Sequence, residues 1–118
     1  MITSYKDLIV WQKSVNFSVE VYSITNTFPK SEIFGISSQL RRAAVAIPSN
    51  IAEGYARGHK KEYLQFLKIA YASGAECMTQ LIIAQKINYL SLADFEKITN
   101  HLEEIMKMTY VLMQKLSI

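Results

Sequence analysis

Apolar residues recur at three- and four-residue steps in four separate stretches, and this spacing predicts four amphipathic helices. The first stretch runs from about Leu8 to Thr27. Leu8, Trp11, Val15, Val19 and Tyr22 form one stripe. Val10, Phe17, Val21 and Ile24 form an adjacent one, so the apolar face is wide. Pro29 closes the helix, because proline lacks an N–H and restrains the residue before it. The second stretch runs from about Ile36 to Arg57, between Gly35 and Gly58. Leu40, Ala43, Ala44, Ile47 and Ile51 line one face. Gly58 suits a C-terminal cap, where left-handed backbone is easiest for glycine. Pro48 falls inside the pattern and predicts a kink, since its ring meets the carbonyl of Ala44 and one backbone hydrogen bond is lost. Two shorter helices meeting at Pro48 is the alternative.

The third stretch runs from about Lys60 to Ile87, with Tyr63, Leu67, Ala70, Gly74, Cys77, Leu81 and Ala84 at alternating four- and three-residue steps. Its small residues Ala70, Ala72, Gly74 and Ala75 would let a neighbouring helix approach closely. The fourth begins near Ser91, an N-cap residue with Asp94 in the first turn. Phe95, Ile98, Leu102, Ile105, Thr109, Leu112 and Leu116 form a heptad seam. Four long helices on short connections predict an all-α fold, a single domain over residues 1–118 built as an antiparallel up-and-down four-helix bundle. The apolar faces are wider than a small monomer needs. Val45, Pro48, Ala52 and Ala56 add a second weakly apolar side to helix 2, so a further subunit is expected to cover some of this surface.

Composition fits this picture. The chain has 118 residues, half of them hydrophobic, with only four glycines and two prolines, too few turn-makers for a many-stranded β fold. It shows no internal repeat. The lone Cys77 cannot form an internal disulfide and reads as a small buried hydrophobe in a reducing, cytoplasmic setting. No basic-then-apolar leader opens the sequence, and no apolar run approaches the roughly 18 residues of a membrane span.

Charge changes the picture more. The net charge is +3, yet between Ser37 and Lys61 five cations face only Glu53. That segment carries +4, and the remainder of the chain is close to neutral. Arg41, Arg42, Arg57, Lys60 and Lys61 are the candidate nucleic-acid contacts, since phosphates dominate such affinity without requiring a motif, and Tyr55 and Tyr63 lie nearby to stack on bases. On helix 2, Asn50, Glu53 and Arg57 make a polar stripe. It is either a solvated face or, with Glu76, a polar network at an interface. Glu53 and Glu76 facing one another would be a carboxylate pair for acid–base chemistry, but solvated or ion-paired glutamates are far commoner. His59 and His101 have no partner at metal-ligand spacing, and neither a phosphate loop nor a nucleophile elbow is present. The expectation is a non-enzymatic chain with no metal or cofactor.

Several runs resemble a known family. They are Asp7-Leu8-Ile9-Val10-Trp11-Gln12-Lys13, Phe28-Pro29, Gln39-Leu40-Arg41-Arg42-Ala43-Ala44 and Ile47-Pro48-Ser49-Asn50-Ile51-Ala52-Glu53-Gly54. Lys61-Glu62-Tyr63-Leu64-Gln65-Phe66-Leu67-Lys68-Ile69-Ala70, Glu76 and Ile87-Asn88-Tyr89-Leu90 continue the likeness. Together they are similar to the four-helix-bundle family named for the 23S ribosomal RNA intervening-sequence protein, over nearly the whole chain. The resemblance implies a bacterial, non-enzymatic bundle that assembles into a homopentamer with a central channel. It also implies kinship with the accessory protein of diversity-generating retroelements, a basic bundle that works with nucleic acid. Ala72-Ser73-Gly74-Ala75 departs from the family pattern, which has Gly-Ser-Leu or similar there. Two functions follow as expectations: an oligomeric RNA-binding bundle using the five cations, or a protein-interaction scaffold using the surplus apolar surface.

Overall fold

The computed structural model describes residues 1–118 as four α-helices and no strand. They are α1 (Ile9–Thr25), α2 (Ile36–Ala56), α3 (Lys60–Lys86) and α4 (Leu92–Leu116). Each helix packs on its two neighbours around a ring, α1 closing on α4, and diagonal helices do not meet. Contacts run in opposite senses along each pair, Thr25 with Arg41 and Ser18 with Ala44 for α1 and α2, so neighbours are antiparallel. The bundle measures 43 × 23 × 22 Å.

Local chemistry sets the helix ends. A short 3-10 turn at Tyr5–Asp7 precedes α1 and carries a reciprocal capping box between Ser4 and Asp7. The N–H groups of Thr3 and Ser4 donate to the Asp7 carboxylate, and these bonds hold its pKa below the usual value. Gly58, at φ 75°, ends α2 as expected. At the end of α3 the left-handed residue is Asn88, φ 67°. Tyr89 N–H reaches Ala84 O at 2.9 Å and Asn88 N–H reaches Gln85 O at 3.1 Å, closing a Schellman motif. Ser91 accepts from Asp94 N–H and caps α4.

The core stripes of α2, α3 and α4 are those the spacing predicts. Leu40, Ala44, Ile51, Leu67, Cys77, Leu81 and Leu102 are fully buried. Burial pushes the Cys77 thiol up to about 12, so it stays protonated and unreactive. α1 differs. Of its two apolar stripes, the one containing Val10, Phe17 and Val21 faces the core, while Val19 and Tyr22 are exposed. The remaining core positions are Ser14, Ser18 and Thr25, whose hydroxyls donate to main-chain carbonyls.

α2 passes through Pro48 as one helix, which removes the two-helix alternative. Pro48 has no N–H for the carbonyl of Ala44 four residues earlier. The hydroxyl of Ser18, from α1, lies 3.0 Å from that carbonyl and shares its proton with Ser14 O. A tertiary hydrogen bond thus replaces the one proline deletes. Ser18→Ala is expected to cost about 1–2 kcal/mol, because it strands a buried carbonyl. In a Pro48→Ala background the same substitution should cost clearly less, since the alanine N–H restores the partner. Urea denaturation of the four-member cycle measures this, and equal costs in both backgrounds would refute the replacement.

Candidate nucleic-acid interface

The five candidate cations do not form one patch. Arg41 and Arg42 sit near the start of α2, while Lys60 and Lys61 open α3. At 1.5 Å per residue, Arg42 lies about 20 Å along the bundle from the α2–α3 turn. Three of the five already have partners. Arg41 Nε donates to Thr25 Oγ1 at 2.8 Å, and another of its nitrogens donates to Asn26 Oδ1 at 3.0 Å. Its guanidinium also stacks 4.8 Å from the Tyr22 ring centroid, tying α2 to the end of α1. Arg57 pairs with Glu53 at 3.0 Å and lies over the Phe66 ring. Lys60 Nζ donates to Ile118 O at 2.9 Å. Arg42 and Lys61 are exposed and make no such bond. Tyr55 and Tyr63 pack edge-to-face on each other, ring centroids 5.8 Å apart, and are half-buried. Burial raises the pKa of Tyr63, the neighbouring Tyr55 adding to it.

The polar stripe of α2 resolves within its own helix. Asn50 Nδ2 donates to Ala46 O at 2.7 Å, and Glu53 holds Arg57. Glu76 is exposed, with the Gln80 amide at 3.5 Å. Each carboxylate therefore has a partner on its own helix. No group of three or more His, Cys, Asp or Glu side chains stands close enough together to hold a metal ion.

No sequence motif marks the polar cleft of about 470 Å³ that lies between α1 and α4. An ion pair, Lys13–Glu104 at 2.7 Å, and a hydrogen bond between His101 Nδ1 and Glu20 Oε1 at 2.8 Å span it. The hydrogen bond from Lys13 lowers the Glu104 pKa, with the lysine charge adding to it. His101, which looks solitary in the sequence, thus has a carboxylate partner 81 positions away. No local signal marks such a pair, because it exists only through the register of α1 against α4.

The fold has a counterpart of known structure: a protein of unknown function from the S23 ribosomal protein family of Bacteroides thetaiotaomicron VPI-5482. The two superpose with a TM-score of 0.83 at 24% identity, covering 89% of this chain and 98% of that one. At that identity the likeness establishes the shared bundle. No curated protein matches the chain. No helix is long and apolar enough to cross a membrane. The model of the 23S rRNA-intervening sequence proteins matches residues 6–111, nearly the whole bundle, and the chain belongs to that family.

Proposed function

We propose that this protein is a non-catalytic, self-associating bundle that binds RNA, in keeping with the ribosomal RNA context of its family. Family membership is the observation that carries the reading. The exposed, unpaired Arg42 and Lys61 supply charge for phosphates. Arg41, Arg57 and Lys60 remain in the candidate set, but their partners reduce what they can offer a ligand.

Self-association is supported by apolar side chains at the pole where α2 begins and α3 ends. Phe34 is 93% exposed, and Ile33, Ile83 and Ile87 are about half exposed. Tyr89 O–H donates to Glu32 at 2.8 Å there, joining the two segments. A ring of five subunits, with α2 bent at Pro48, is the arrangement we favour. It would repeat the modest cationic surface of one subunit around an axis and strengthen its field. Light scattering at micromolar concentration is expected to report an oligomer, and a stable monomer would refute this.

RNA binding has its own test. With about three phosphate contacts per subunit on a single strand, affinity should fall about 18-fold between 50 and 200 mM salt. Arg42→Ala and Lys61→Ala should each weaken binding and flatten that slope without altering the melting temperature. Arg41→Ala should do the reverse, destabilising the bundle. Binding that is weak and flat with salt would overturn the reading. The exposed apolar pole also suits a protein scaffold. That alternative predicts a stoichiometric protein partner and purified material with a 260/280 nm absorbance ratio free of nucleic acid.

A further inference from the structure

The α3–α4 face carries a second cationic surface that the order of residues disperses. Lys60 and Lys68 on α3 and Lys107 on α4 lie far apart in the chain. On α3, Lys60 and Lys68 fall within about 60° of Tyr71 around the helix. On α4, Lys107 falls within about 60° of Tyr110, whereas Lys115 turns to the α1 side, beside Leu8, Ile9 and Val10. The antiparallel register brings the two sets to the same half of the bundle, with Lys60 at Ile118 and Tyr71 beside Tyr110.

Between them runs a groove of about 620 Å³, lined by Tyr71, Glu103, Met106, Lys107, Tyr110 and Val111. The Tyr71 and Tyr110 rings are 6.1 Å apart, tilted by 47°, and form one aromatic wall. Tyr110 is 48% exposed, and its hydroxyl accepts from Gln114 Nε2 at 2.6 Å, which steadies the ring. Glu103 and Lys107 stand four residues apart, the favourable order for a helical ion pair. They form none, and neither has another side-chain partner, so both are free for a ligand.

We infer that this groove binds an unpaired guanine of single-stranded RNA, a step that rests on the RNA-binding reading above. Aromatic side chains stack on bases of any kind, while sequence-specific recognition of RNA reads hydrogen bonds on base edges. The base stacks on the Tyr71–Tyr110 wall. The two oxygens of Glu103 match the adjacent N1–H and N2–H₂ donors of guanine, an edge that uracil lacks. Lys107 lies one turn along α4 for O6 or for the flanking phosphate, and Lys68 extends the path of the backbone. A carboxylate would repel a site that took phosphate alone. Its presence among lysines and tyrosines is what favours a base with donors on its edge.

Fluorescence anisotropy on the oligomeric protein tests this with three labelled RNAs: nine uridines, the same strand with a central guanosine, and a short duplex. The guanosine strand is expected to bind roughly tenfold tighter than the uridine strand, the scale of one good two-bond contact. Tyr110→Ala should weaken both single strands about tenfold, while Tyr110→Phe, which keeps the ring, should not. Glu103→Gln should erase the guanosine preference and leave uridine binding intact. Circular dichroism melts verify that these exposed-residue variants stay folded. If Tyr110→Ala and Glu103→Gln bind like the parent, or if only the duplex binds, this groove is not the site, although the protein still binds RNA. If no RNA binds at low salt, the RNA-binding reading falls together with the groove.

Discussion

Truncating Phe17 to alanine is expected to destabilise the bundle by about 4 kcal/mol, the usual scale for a phenylalanine removed from a packed core. For a chain of this length that lowers the melting temperature by roughly 15 °C. Phe17 is 1% exposed and lies with Ile105 along the α1–α4 cleft. The loss therefore falls on the seam whose surface is lined by the Lys13–Glu104 and His101–Glu20 contacts. The surface pair Lys13–Glu104 offers little in compensation, because exposed ion pairs contribute about 0–1 kcal/mol. Thermal and urea unfolding at fixed protein concentration measure the change, the concentration held constant because self-association adds to apparent stability. A cost under about 1.5 kcal/mol would mean that the cleft side chains collapse into the gap.

Gly54→Val is expected to cost about 3 kcal/mol, although helix propensity argues the other way. A Cβ at Gly54 would sit 2.6 Å from the Phe66 Cβ and 3.3 Å from the Tyr63 carbonyl. Both neighbours are on or beside the α3 backbone, so relief requires α2 and α3 to separate. Gly74 is the control. A Cβ there meets the Met106 side chain at 3.0 Å, and that flexible thioether can swing aside. Gly74→Ala should therefore fall within about 0.5 kcal/mol of neutral, the propensity gain offsetting the adjustment. A Gly54 variant as stable as the parent would show that the α2–α3 crossing is not set by that glycine.

The two glycines look alike in the sequence, and the same limit recurs across the molecule. Helix number, helix order and most boundaries are legible, because they depend on local causes: apolar period, Gly58, Ser91 and the prolines. α1 ends at Thr25, two residues before the expected Thr27, within the ordinary scatter of helix ends. The inward face of α1 is less legible. Periodicity assigns Val19 and Tyr22 to an apolar stripe, whereas the core accepts Ser14 and Ser18, whose small hydroxyls satisfy carbonyls.

For the candidate site the division is sharper. The excess of cations between Ser37 and Lys61 is a property of composition and can be counted in the chain. Whether a cation is available to a ligand depends on what stands opposite it. Arg41 meets Thr25, Asn26 and Tyr22 of the α1 end, and Arg57 meets Glu53 and Phe66. The α3–α4 lysines and the Tyr71–Tyr110 wall are separated by dozens of residues and meet only through helix register. Short-range periodicity and capping suffice to specify four helices and their turns. Partnerships between helices follow from how the four close on one another, which placed Ser18 beneath Ala44 and His101 against Glu20 and opened the groove beside Tyr110.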